Sequence, residues 1–143
     1  DLPRIFVPSI AIGMSERIID ITIKYLGARK PINKFNISNN GVQEKLFKLL
    51  VQVDAGRWMV YRTASKKDNL ENIKIQSAMN KYFTTEVAMD TISSCLQLVG
   101  ENGYDKLSVL SRYFSIAKLL QIVDGTSEIQ RIVIGRNLEM QGK

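Results

Sequence analysis

Val42, Leu46, Leu49, Val53 and Val60 recur at spacings of four, three, four and seven, which gathers them on one face of a helix and scatters them over both faces of a strand. This stripe predicts a long amphipathic helix from about Gly41 to Lys67, with Lys66 and Lys67 set favourably against the helix dipole and Asp68-Asn69 making the turn. A third helix is expected from about Leu70 to Val99, with Ile75, Ala78, Tyr82, Met89, Ile92, Leu96 and Val99 in register. Ahead of both, Pro3 is suited to open a helix that reaches about Ala28, and Pro8 should mark its regular start or a kink. Two adjoining stripes on it, Ile12, Ile19, Ile23 and Leu26 beside Ile18, Ile21 and Tyr25, imply contacts on more than one side. No segment alternates as a strand does. The expected fold is all-α, an up-and-down antiparallel four-helix bundle with an additional short helix.

The connections are short. Gly27 to Asn40, with Pro31 and Ser38-Asn39-Asn40, reads as a loop ending in a cap, and Gly100-Glu101-Asn102-Gly103 as a helix stop. A shorter helix is expected from about Leu107 to Leu119 and a last one from about Ser127 to Met140. The 143 residues, 45% of them hydrophobic, suit one domain over the whole chain. With no initiating methionine, a fragment or an excised domain is the expectation. The net charge of +6 comes from residues scattered along helices rather than clustered. That pattern disfavours a nucleic-acid partner and leaves a solvated surface biased toward phosphate-bearing ligands. Without histidine, imidazole catalysis is excluded and no metal site is expected. Cys95, the single cysteine, reads as a small buried hydrophobe in a chain kept in a reducing compartment. Neither a membrane span nor a signal peptide is visible.

The most informative turn lies near the end, where the apolar run Leu119-Leu120-Gln121-Ile122-Val123 stops at Asp124 and passes through Gly125 into Thr126-Ser127-Glu128-Ile129-Gln130-Arg131. Ser127 with Gln130 reads as a capping box. The amides of Thr126, Ser127 and Glu128 would then form an anion seat beside a carboxylate. Asp124 could equally do no more than cap the helix.

The run Gln121 to Arg131 resembles the C-terminal signature of the acyl-CoA dehydrogenase family, flavoenzymes that desaturate acyl thioesters between the α and β carbons. The resemblance extends from Arg4 to Arg136. It implies FAD as cofactor, an acyl-CoA or acyl-carrier-protein thioester as substrate, and assembly into homodimers or homotetramers. An electron-transfer flavoprotein or another acceptor would reoxidise the flavin, in the cytoplasm or a mitochondrial matrix. It also implies an N-terminal helical domain and a middle β domain in the complete enzyme.

Carried over residue by residue, the resemblance makes Asp124 the catalytic base, where many members have glutamate. Aspartate is one methylene shorter. Gly125 and Arg4 would meet the substrate, and Pro3, at the position some members use for their base, cannot abstract a proton. Thr126 and Glu128 would approach the adenosine side of FAD. Arg29, otherwise a solvated arginine near a helix end, would contact the pyrophosphate of a neighbouring subunit's FAD. Gln97 and Gly100, otherwise part of a helix stop, would meet the same cofactor, with Glu101 beside them in place of a usual glycine. Ile32-Asn33 replaces a Phe-Gly pair and removes an aromatic ring from the flavin. Ser115-Ile116 replaces an Arg-Asp pair. These departures leave a second reading open, a helical oligomerisation module of the same descent without flavin chemistry. Trp58, Tyr61 and Arg62 read as interface or core residues, and the methionines as packing.

Overall fold

The computed structural model describes residues 2–29 and 36–142. Its helices are α1 (Pro3–Ala28), α2 (Asn40–Asp68), α3 (Lys74–Val99), the single turn α4 (Glu101–Tyr104), α5 (Val109–Ile122) and α6 (Ser127–Gln141). Among the described residues there is no strand. The expected all-α bundle is therefore the observed one. Ile32-Asn33 lies outside the described residues.

Side-chain caps and positive-φ residues explain several of the boundaries. Asn39 accepts the amide of Val42 at 3.1 Å and starts α2. Ser108 does the same for α5 through the amide of Leu110, so that helix begins later than its apolar pattern suggested. Leu70, at φ +60°, cannot continue a right-handed helix and separates α2 from α3. Gly100, at φ +80°, ends α3, and the chain immediately winds one more turn as α4 where only a stop was expected. α1 runs through Pro8. Proline there removes one bond, to the carbonyl of Arg4, close to the solvated amino end.

The third helix is the hub, packed against α1, α2, α5 and α6. Val42, Leu46, Leu49, Val53 and Val60 of α2 are all buried, as their spacing demands. From α1 come Val7, Ile12, Ile18, Ile19 and Leu26; each such side chain contributes about 1.5–3 kcal/mol when fully buried. The face of α3 departs from expectation. Ala78, Ile92 and Val99 are buried, but Ile75, Tyr82, Met89 and Leu96 are only half-buried. The fully buried positions include Ser77, Asn80, Lys81, Thr84, Thr85 and Thr91.

The buried hydroxyls are mostly satisfied within their own helices. Ser15 donates to the Ala11 carbonyl at 2.7 Å, Thr22 to Ile18 and Thr84 to Asn80 at 2.8 Å, and Thr85 to Lys81 at 2.9 Å. Small side chains that bond backward need no partner across the interface, so helices can approach closely. At Gly56 of α2 an added Cβ would stand 2.5 Å from Ile12, so α1 and α2 meet there over bare backbone. Cys95 is completely buried, and burial pushes its thiol pKa up, in keeping with an inert packing residue. Trp58 and Tyr61 are exposed and stack edge to face at 5.8 Å, which rules out the core alternative for them.

Candidate active site and cofactor groove

The turn between α5 and α6 is built from two consecutive left-handed residues, Asp124 at φ +53° and Gly125 at φ +92°. Aspartate tolerates this region better than most side chains. Asp124 is exposed, so its carboxylate points away from the packed layer that holds its backbone.

That layer is polar. Lys81, fully buried on α3, donates from Nζ to the Gly125 carbonyl at 2.8 Å and to the Gln121 carbonyl at 3.3 Å. Gln130, fully buried on α6, donates from Nε2 to the Gly125 carbonyl at 3.1 Å and to the Asp124 carbonyl at 3.4 Å. Glu86 Oε1 accepts from Ser127 Oγ at 2.7 Å and from Gln121 Nε2 at 3.0 Å, tying α5 and α6 to α3. Burial pushes the Lys81 ammonium pKa down, opposed first by Asp124, then by Glu86 and Glu128.

The cap of α6 is not the expected one. Thr126 is the cap, accepting the amide of Ile129 at 3.4 Å. Ser127 and Gln130, expected to form the box, are instead spent on Glu86 and on the turn carbonyls. Asp124 stands two residues before the cap, so the capping alternative for it also falls. The first turn of α6 is not simply an open anion seat either. Glu128 folds back onto its own backbone amide and then onto the Thr126 hydroxyl, which holds its carboxyl pKa below the usual range, with Arg131 and Lys118 adding to the effect.

The sign of this shift gives a test. A carboxyl whose folded pKa lies below its unfolded value, about 4.3, stabilises the fold above that value and loses the contribution as pH falls through the folded one. Glu128→Gln should therefore lower the thermal midpoint at pH 7, and the gap to the unaltered protein should close toward pH 3. An equal gap at both pH values would show that the lost stability is not that of the carboxylate charge.

Thr126 and Glu128 line a polar cleft with Glu86, Lys118, Gln121 and Arg131. Arg131 donates to the Tyr82 hydroxyl at 3.0 Å and lies 5.0 Å over its ring. Arg29, Gln97 and Gly100 meet elsewhere, in a groove of about 350 Å³ completed by Lys45 and Leu98. There Arg29 donates to the Val99 carbonyl at 2.9 Å and lies 4.9 Å over the Tyr25 ring. Asn102 donates to the Tyr25 hydroxyl at 2.9 Å and, with Arg29 as the next cause, holds that phenol pKa below its usual range. The groove fits an anionic ligand in presenting two cations, Arg29 and Lys45, beside the open backbone of Gly100. Glu101 is exposed at the start of α4, outside the residues that line the groove.

Lys81 and Gln97 are sixteen residues apart on α3, roughly 24 Å along the axis. The fold therefore divides the expected site residues into two sets at opposite ends of one helix. Arg4 joins neither set by a hydrogen bond or ion pair among the described residues; it lies half-buried in the first turn of α1. Sequence reasoning missed Lys81 and Glu86. Lys81 could have been found from register: Ala78, Lys81, Thr85, Ala88, Ile92, Cys95 and Val99 step by three and four along one continuously buried line.

Three comparisons with known proteins bear on this arrangement. Residues 1–139 match the family described as acyl-CoA dehydrogenase, C-terminal domain. A 3-(aryl)acrylate reductase of Clostridium sporogenes is 33% identical over 94% of this chain and 36% of its own length. The mitochondrial short-chain specific acyl-CoA dehydrogenase of Mus musculus is 31% identical over 96% of this chain and 34% of its own length. Among solved structures, butyryl-CoA dehydrogenase from Megasphaera elsdenii superposes with a TM-score of 0.90 at 30% identity, over 94% of this chain and 35% of that one. The chain thus spans about a third of the length of these relatives.

Proposed function

Because the chain belongs to the acyl-CoA dehydrogenase family as its C-terminal domain, we propose that it supplies the base and part of the FAD site of an α,β-dehydrogenase acting on acyl thioesters. The observation that carries this reading is the α5–α6 turn, where an exposed carboxylate is held on a backbone whose Asp124 and Gly125 carbonyls are bonded from beneath and whose next residue, Thr126, caps α6. A base must keep its position while its proton state changes, and a carboxylate on a pinned turn meets that need.

In this mechanism Asp124 takes the α proton of the thioester. FAD, when bound, would supply the acceptor for the hydride that leaves the β carbon. The shorter reach of aspartate requires the α carbon to lie closer to the turn than it would for glutamate. Exposure of Asp124 in this domain leaves its desolvation to the thioester, the cofactor and the remainder of the protein. Thr126 and Glu128 would stand on the adenosine side of FAD, Gly125 and Arg4 near the thioester, and Arg29, Gln97, Gly100 and Glu101 near a second FAD.

Separation of the two sets along α3 supports the last assignment, since a domain whose cofactor residues point to opposite ends is suited to sharing flavins across a dimer or tetramer. Assembly through α2 is supported by its exposed Phe47, Leu50, Val51, Trp58 and Tyr61. Coenzyme A or an acyl-carrier protein would present the thioester without change to this chemistry, and the electrons would pass to an electron-transfer flavoprotein or another acceptor.

The test is an absorption spectrum of the complete protein. A flavin band that bleaches anaerobically on adding acyl thioesters supports the dehydrogenase. A colourless oligomer that ignores added FAD would leave only the assembly role.

A further inference from the structure

We infer that Lys81 is a positioning residue, whose buried ammonium bridges the end of α5 to the start of α6 and so fixes the turn that presents Asp124. Lysine is almost never fully buried without a paired carboxylate, because desolvating an ammonium is costly. Lys81 is fully buried, and its hydrogen-bond acceptors are two backbone carbonyls. Both belong to the segment that carries Asp124. Gln121 is in the last turn of α5, at the negative end of the helix dipole, and Gly125 lies one residue before the cap of α6. The chain between these carbonyls contains Ile122, Val123 and Asp124 and enters the left-handed region at Asp124. Strained backbone of this kind persists only where its surroundings over-determine it. Lys81 grips it at both sides of the base, and Gln130 adds a second grip on one side only.

An apolar residue of similar volume would fill the space and avoid the desolvation cost, so packing alone does not account for a lysine here. The charged groups facing it are Glu86 on α3, Asp124 in the turn and Glu128 on α6, with Lys118 of α5 and Arg131 of α6 in the cleft above. None of the carboxylates makes an ion pair with Lys81 within 4 Å. The ammonium is committed to the backbone.

The consequence for turnover rests on the dehydrogenase reading above; the grip on the turn does not. The experiment therefore has two readouts on Lys81→Met in the complete protein. The first is hydrogen exchange of the backbone amides, resolved by peptide. Exchange in the segment 119–128 should rise roughly 10- to 100-fold, as expected for loss of hydrogen bonds from a charged donor, while peptides from α2 stay as they were. The second is steady-state kinetics with the acyl thioester that bleaches the flavin. There kcat should fall roughly 10-fold or more, with KM and flavin content held, because a loosened turn misplaces the base without removing a binding contact.

Unchanged exchange in 119–128 overturns the inference whatever the activity. Faster exchange in a protein that never turns over thioesters upholds the grip and refutes the functional reading alone. Faster exchange with kcat unchanged overturns the role in turnover. Should Lys81→Met fail to fold, Lys81→Ala with added n-propylammonium serves in its place: protection of 119–128 that depends on the amine supports the inference, and indifference to the amine overturns it.

Discussion

Asp124→Asn should lower turnover of the flavin-loaded protein by about 10²- to 10⁴-fold, the usual contribution of a positioned general base, with flavin content unchanged and the fold retained. The substitution is well suited to isolate the chemistry. Asparagine has the same size, and it is as tolerant as aspartate of the left-handed region that Asp124 occupies at φ +53°. The side chain is exposed, so no core contact is lost. Its carboxylate takes no part in the cap, which belongs to Thr126. What disappears is the ability to accept a proton. Turnover that persisted at the original rate would place the base elsewhere, and Pro3, at the other family position, has no group to serve.

Gly125→Ala should be nearly as damaging by a different route. At φ +92° an L-residue pays about 1–2 kcal/mol, and the added Cβ would stand 2.7 Å from Gln130 Nε2. That nitrogen is not a loose end. It belongs to a fully buried side chain that already bonds the Asp124 and Gly125 carbonyls. Its partner atom, Oε1, has no hydrogen-bond partner with which to absorb a shift. Displacing Gln130 displaces the turn, and a misplacement of ~1 Å costs roughly 10²-fold in rate. In Gln130→Ala the crowded nitrogen is gone, so adding Gly125→Ala to it should cost kcat, at a fixed saturating thioester, much less than the same change costs in the unaltered protein. An equal kinetic cost in both backgrounds would separate the rate loss from the Gln130 contact.

The long-range architecture was readable because hydrophobic spacing reports packing directly wherever one face of a helix is buried. All five residues of the α2 stripe point inward. The resemblance of Gln121 to Arg131 is likewise borne out by the family match across residues 1–139. Reading failed on α3 for a physical reason. A helix packed on several sides has no single apolar face, and part of this one's interior is filled by Thr84 and Thr85, which satisfy themselves on carbonyls of their own helix. Ile75, Tyr82, Met89 and Leu96 formed a plausible stripe and proved to flank the buried line.

The α6 cap was misassigned because Thr126 and Ser127 are both good caps in isolation. The choice between them is made by Glu86, forty-one residues away from Ser127, which claims the serine hydroxyl. Register could place Lys81 on the buried line, but its role was hidden for the same kind of reason. A lysine is read as solvated unless its distant acceptors are known, and those acceptors are main-chain carbonyls that carry no mark in the sequence.

Because α3 holds the Asp124 turn through Lys81 and Glu86 at one end and carries Gln97 at the other, it acts as a ruler between the two candidate sets. Inserting a single residue between Glu86 and Gln97 would turn one end against the other by about 100° and lengthen the rod by about 1.5 Å. No loop lies between them to absorb the change. Chimaeras of this domain with its relatives should therefore exchange α3 whole, with crossovers in the connections at residues 69–73 and 105–108, and length variation should collect there rather than within the helix.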